Sequence, residues 1–203
     1  MYIMHSDDDK DALFWIDAAK DLGHQLTLLT DSRTDLSRYD NGSNSKIEIQ
    51  RVEVPECKGF FSCLKTVGCY RTAILRKLME DAPVFGYHKF SFISPAVNKA
   101  FEGLSYLTGV EIPYCVEISD KEHERFKGSR FSYFRRFFFR HVQYVTYAKS
   151  SGIICSERLK FELMEKYKVK EDKIIVSDSC SNDDSVGKVK EIESIIEKLK
   201  EKF

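Results

Sequence analysis

Three short apolar runs, Cys115–Ile118, Gly152–Cys155 and Ile174–Val176, are separated by segments whose hydrophobic residues recur every three to four positions. Continuous apolar runs flanked by helix-period segments predict buried parallel strands joined by helical crossovers. Each run ends in a polar pair: Ser119–Asp120, Ser156–Glu157 and Ser177–Asp178. These pairs fall at the carboxyl ends of strands, the edge of an open α/β sheet where ligands dock.

The same alternation extends back to the first residues. Tyr2–His5 predicts a strand, and Ser6 with Asp7, Asp8 and Asp9 supplies the cap and first-turn acids of a helix. Ala12, Leu13, Ile16, Ala19 and Leu22 mark the buried face of that helix, and Gly23 stops it. Gln25–Thr30 is a second strand, Asp31–Ser45 a polar loop, and the alternating Lys46–Val54 a strand nearer the sheet edge, ended by Pro55. Helices are predicted over Phe60–Met79, with Leu64, Val67, Ile74, Leu75 and Leu78 on one face, and over Ser94–Leu107, with Pro95 in its first turn and Gly109 closing it. Pro83–His88 is the strand between them. A basic aromatic helix over Gly128–Ser150 and a helix over Glu157–Tyr167 complete the series. The prediction is an α/β, Rossmann-like, doubly wound and mainly parallel seven-stranded sheet with helices on both faces, over residues 1–178. Residues 179–203 read as a turn-rich linker and a final amphipathic helix, with an apolar stripe of Val186, Val189, Ile192, Ile195, Ile196, Leu199 and Phe203.

Composition narrows the picture. Among 203 residues, 42% are hydrophobic and 32% charged, which fits a globular chain and excludes global disorder. Lys plus Arg and Asp plus Glu balance at 32 each, so no net field recruits nucleic acid or membrane and any attraction must come from a local patch. No apolar run reaches the roughly 18 residues of a spanning helix, and MYIMHSDDDK lacks the pattern of a secretion signal. The expected compartment is cytoplasmic, with peripheral attachment to the inner face of a membrane as an added option. Cys57, Cys63, Cys69, Cys115, Cys155 and Cys180 form no C-x-x-C pair and His24, His88, His123 and His141 are scattered, so neither zinc nor another metal is expected and the cysteines read as reduced thiols.

The sharpest local anomaly is residues 121–149. Lys121, Arg125, Lys127, Arg130, Arg135, Arg136, Arg140 and Lys149 oppose only Glu122 and Glu124, and nine phenylalanines and tyrosines lie among them. The functional reading is an anion or membrane patch centred on Arg130, Arg135, Arg136 and Arg140. The plainer one is an amphipathic helix that packs Phe134, Phe137, Phe138 and Val142 on the sheet and leaves its arginines in water. Nucleic acid is disfavoured by the neutral chain. Asp120, after strand five, is the candidate catalytic or acceptor-orienting carboxylate, against a capping role or a pair with Lys121 or Arg125. Tyr87, His88 and Lys89 end strand four beside the switch point of a 3-2-1-4 order, where His88 would take a proton from a hydroxyl unless it is an idle surface histidine. Ser6 and Asp7 end strand one; Ser156 and Glu157 end strand six; both pairs also suit helix starts.

The order "LGHQLTLLT", "GVEIPYCVEISD" and "SSGIICSERLKFELMEKYKVKEDKIIVSD" resembles the N-terminal, acceptor-side half of GT-B fold glycosyltransferases of the group 1 or family 4 type. The resemblance implies sugar transfer from a nucleotide-sugar to a glycan or lipid-linked acceptor. It implies no covalently bound cofactor and matches its motifs at Asp120 and at the pair Ser156–Glu157; Ser6, Asp7, Tyr87, His88 and Lys89 join the site by their strand-tip positions, Asp120 and His88 for the chemistry and the others, with Ser119, for the acceptor. Three departures stand out. The family's Gly-Gly loop after strand one is the acidic HSDDDKD here; its frequent histidine before the aspartate is Ser119; and its NGVD hinge is SCSND. The donor-holding second domain has no counterpart in these residues, so activity is expected only with a donor-binding domain or protein partner. The alternative is a non-catalytic module that docks on membrane or protein through the basic aromatic helix 129–149.

Overall fold

The computed structural model describes residues 2–4, 23, 25–31, 47–56, 60–120, 123, 133–177, 194, 197 and 198. The helix predicted after strand one, Ser6, Asp7, the loop after Asp31, Arg130 and most of the final helix lie outside the described residues, as do Lys121, Arg125, Cys57 and Cys180. The chain divides into two compact units, Met1–His88 with Ile93–Ile112, and Lys89–Phe92 with Pro113–Phe203.

In the first unit, strands β1 (Tyr2–Met4), β2 (Leu26–Asp31), β3 (Ile47–Val52) and β4 (Gly86–Lys89) line up as β3-β2-β1-β4, every pair parallel. Register is set by Ile3 opposite Leu28 on one side and Tyr87 on the other. Leu26, Leu28 and Leu29 are buried, as an inner strand of a two-sided parallel sheet requires. The outermost strand β3 is mostly half-buried, with Glu48 and Arg51 exposed and Val52 buried. Strand β4 begins three residues later than predicted because Val84 is exposed and the chain enters the sheet only at Gly86.

Helix α1 (Phe60–Glu80) buries Thr66, Tyr70, Ile74, Lys77 and Leu78, whereas Leu64, expected inside, is exposed. The buried face is phased on Tyr70 and admits Lys77 because that ammonium meets two carboxylates, Glu48 at 2.8 Å and Asp81 at 2.6 Å. Helix α2 (Ser94–Thr108) starts with Pro95 in its first turn and ends at Gly109, whose φ of 70° only glycine adopts without steric cost. Gly103 of α2 faces Leu75 of α1: a Cβ there would meet its methyls at 3.6 Å, an ordinary van der Waals contact.

In the second unit, β5 (Tyr114–Ile118), β6 (Gly152–Cys155) and β7 (Ile174–Val176) form a parallel set in that order, with Val116 opposite Ile153 and Ile153 opposite Ile174. All four residues of β6 are buried, while the outer strand β7 is half-buried. Helix α3 (Tyr133–Lys149) connects β5 to β6, and α4 (Glu157–Tyr167) with a 3-10 turn (Glu171–Lys173) connects β6 to β7. No helix among the described residues is long and apolar enough to cross a membrane.

The end of α3 is capped at a distance in sequence: Lys173 Nζ donates to the carbonyls of Ala148 and Ser150, each at 3.1 Å. A cation there satisfies terminal carbonyls and opposes the negative end of the helix dipole. Lys173→Met is expected to lower unfolding free energy by about 1 kcal/mol. A urea melt read by circular dichroism checks this, and an unchanged midpoint would remove the cap from the account.

Candidate functional site at the strand tips

The polar pairs predicted at the tips of β5 and β6 come together. Ser156 Oγ donates to Asp120 Oδ1 at 2.7 Å, joining residues 36 positions apart. The same oxygen accepts from the Leu159 amide at 3.4 Å and the Ser156 backbone is extended, so Ser156 is the N-cap of α4. Asp120 Oδ2 faces Arg158 Nη1 at 4.0 Å, a loose contact with a side chain that is largely in water. Among the described residues the partners of Asp120 are thus Ser156 and Arg158, and Ser156 is both cap and donor. Glu157 is exposed in the first turn of α4, and Ser119 is half-buried with its carbonyl accepting from the His123 amide. The Ser177 amide donates to the Cys155 carbonyl at 3.0 Å, which brings the third tip beside the second.

Beneath these tips Cys155 is buried, and burial first, then the charges of Asp120 and Glu157, pushes its thiol up to about 12. It therefore stays protonated and is not a nucleophile at neutral pH. Cys115 is buried too, and Cys63 and Cys69 are half-buried, none of the four in a disulfide. Among the described residues no group of three or more His, Cys, Asp or Glu is placed to hold a metal ion.

At the tip of β4, His88 is only 1% exposed, which overturns the expectation of a surface histidine. Its Nε2 lies 2.8 Å from Ser94 Oγ, itself fully buried at the start of α2. Burial lowers the imidazole to about 3, so it is neutral across the physiological range. Tyr87 is buried and Lys89 half-buried. Ser94 was missed in the sequence; its signal was the Ser-Pro helix start six residues after a strand-end histidine.

A second group missed in the sequence surrounds His123, which is fully buried. Nδ1 is 3.3 Å from Tyr147 Oη, and Nε2 is 3.1 Å from Glu162 Oε1, within ion-pair range but off the hydrogen-bond line. Tyr167 packs edge-on against both His123 and Tyr147, and its hydroxyl donates to Gln143 at 3.1 Å. Burial, then the neighbouring Tyr167 and Glu162, holds the Tyr147 hydroxyl well above its ordinary range. The group ties the turn after β5 to α3 and α4, and its members are spread over 45 residues of sequence, which no local motif marks.

Helix α3 turns outward differently from expectation. Val142 is buried as predicted, with Gln143, Thr146 and Tyr147, but Phe137 is 67% exposed and Phe138 and Phe139 are half-buried and edge-on to each other. Arg140 is exposed; Arg135 and Arg136 lie in the helix, their side chains outside the described set.

Each unit is thus a parallel α/β arrangement with polar side chains gathered at carboxyl strand tips, a Rossmann-like fold. Among solved structures, a chain of sucrose-phosphate synthase from Thermosynechococcus elongatus aligns with a TM-score of 0.58 at 10% identity, over 98% of this chain and 99% of that one. MurG from Acinetobacter baumannii aligns at 0.44 and 12% identity, over 76% of this chain and 40% of that one. At 10% identity the first likeness shows the fold alone, an α/β arrangement shared with the sucrose-phosphate synthase chain. No family model matches the chain, and no curated protein matches it in sequence.

Proposed function

We propose that this chain is the acceptor-binding half of a glycosyltransferase, transferring sugar from a nucleotide-sugar to a glycan or lipid-linked acceptor only together with a donor-binding domain or protein. In this reading the acceptor sits at carboxyl strand tips. The observation that carries it is the fold match over nearly the whole of both chains, with a carboxylate, Asp120, at the tip of β5.

The chemistry assigned to the chain is modest. Ser156 holds one oxygen of Asp120, and among the described residues Oδ2 has the loose Arg158 contact, whose place an acceptor hydroxyl would take. The acceptor oxygen forms the new bond to the anomeric carbon. The bond from that carbon to the diphosphate oxygen breaks, the diphosphate leaves with the electron pair, and the hydroxyl proton passes to Asp120. Ser119, Glu157, Tyr87, Lys89, Ser6 and Asp7 would line the acceptor side. His88, buried and neutral, serves here as a positioning residue that fixes the tip of β4 through Ser94 rather than as the base. The donor's phosphates fall to the partner, since the HSDDDKD loop repels anions.

Saturation-transfer NMR against a panel of free and lipid-linked glycans tests this. The chain is expected to bind an acceptor, to turn over no nucleotide-sugar alone, and to bind about tenfold more weakly as Asp120→Ala, the value of one charge-assisted hydrogen bond. Failure to bind any glycan, or equal binding by the variant, would end the proposal.

A further inference from the structure

Two cross-links join the turn after β5 to α4. One is the hydrogen bond from Ser156 to Asp120 at the strand tips, 2.7 Å long. The other is buried, where His123 Nε2 stands 3.1 Å from Glu162 Oε1. The His123 amide donates to the Ser119 carbonyl at 3.0 Å, so Asp120 and His123 ride on one helical turn. Ser156 and Glu162 ride on a second element, the N-cap of α4 and a residue less than two turns into it. Of the two links, only the buried one contains an imidazole, the side chain whose ordinary titration spans neutrality. The surroundings of His123 suit both of its protonation states. Tyr147 Oη, 3.3 Å from Nδ1, can donate to a neutral ring or accept from a charged one. That hydroxyl keeps its own proton, being held well above its ordinary range by burial first and by Tyr167 and Glu162 after it. Nε2 faces the Glu162 carboxylate in either state.

Among the described residues, the charged and titratable groups around the imidazole and its tyrosine come from four places. They are Glu162, Tyr167 and Lys166 of α4, the lysine pairing with Glu162 at 3.4 Å; Tyr147 and Arg140 of α3; Cys155 of β6; and Asp120 on the histidine's own turn. On gaining a proton the ring becomes a buried cation against Glu162, a pairing stronger than the neutral one, and it draws α4 towards the turn. We infer that His123 is a positioning residue for Asp120, and that its protonation regulates the strand-tip site by tightening the turn against α4, so that Ser156 holds the carboxylate more firmly on the acid side of neutrality. The consequence for acceptor binding rests on the sugar-transfer reading; the link between the two side chains does not.

NMR titration of the full chain between about pH 5.5 and about pH 8 decides it. The Asp120 carboxyl carbon and the Ser156 amide are expected to shift with the same midpoint as the His123 ring. That step is expected to vanish in His123→Gln and to persist in His141→Gln, which changes an exposed histidine of α3. In Glu162→Gln it is expected at lower pH, because no carboxylate then favours the cation. The wild-type titration and Glu162→Gln still decide the matter where His123→Gln does not fold. Acceptor glycan is expected to bind several-fold more tightly at about pH 6 than at about pH 8, and equally at both in His123→Gln. A His123 ring that does not titrate in this range, Asp120 and Ser156 resonances that ignore it, or glycan affinity indifferent to pH would each overturn the inference. Joint titration in a chain that binds no glycan would uphold it and count against the sugar-transfer reading alone.

Discussion

Acidification from pH 7 to pH 5 is expected to remove about 2 kcal/mol of stability through His88 alone. The buried imidazole is held near 3 in the folded chain, against 6.5 when exposed. Below 6.5 the unfolded chain therefore binds a proton that the folded chain refuses, so the contribution of His88 is fully present above that value and drains away as pH falls towards 3. The estimate at pH 5 is insensitive to where the folded value lies, because the loss there is set by the distance from 6.5. His88→Gln keeps a hydrogen-bonding end for Ser94 and cannot titrate. Denaturant melts at pH 7 and pH 5 should show the variant losing about 2 kcal/mol less than wild type across that interval. Identical losses in both proteins would mean that the imidazole is accessible to protons in the native state.

The second large effect is expected at Lys77. Its side chain is 7% exposed, while Glu48 and Asp81 remain half in water. Hydrogen bonds that the ammonium donates to Asp81 first and then Glu48 hold it above the ordinary lysine range, so this stabilisation is complete below about 10.5 and is lost only as pH rises past the raised value. Lys77→Met removes the cation but fills the space. Fully buried pairs lose roughly 3–5 kcal/mol when one partner is deleted; with both acids half-solvated the expectation is about 2 kcal/mol. At the adjacent position Arg76, pointing into water, pairs with Glu80 at 2.9 Å. Arg76→Ala should cost no more than about 0.5 kcal/mol. Equal losses at the two positions, measured by chemical unfolding, would show that burial of the Lys77 pair does not matter.

These two residues also mark where sequence reasoning stops. Continuous apolar runs revealed β5, β6 and β7, and Ser156 and Gly109 declared helix ends, because those signals are local. On α1 Ile74 and Leu78 were placed inside correctly, but Leu64 is exposed and Lys77 was missed, since a lysine counts as an outward residue until Glu48, 29 positions away, is known to meet it. Asp120 was visible as a strand-tip carboxylate, but Ser156 and Arg158, which reach it from the next strand's helix, were not; its suggested partners Lys121 and Arg125 lie outside the described residues. Phe137 was assigned inward on hydrophobicity alone, yet the inner face was already taken by Val142, Thr146 and Tyr147. The group around His123 was invisible for the same reason as the Lys77 pair, its members being far apart along the chain.

The thiol under the Asp120–Ser156 pair has a bearing on where such a protein can work. A cysteine that gives up its proton only near 12 offers almost no thiolate to peroxide or to a passing disulfide. The tip of β6 is accordingly indifferent to the oxidising or reducing poise of its surroundings, and the carboxylate above it keeps its setting through oxidative stress.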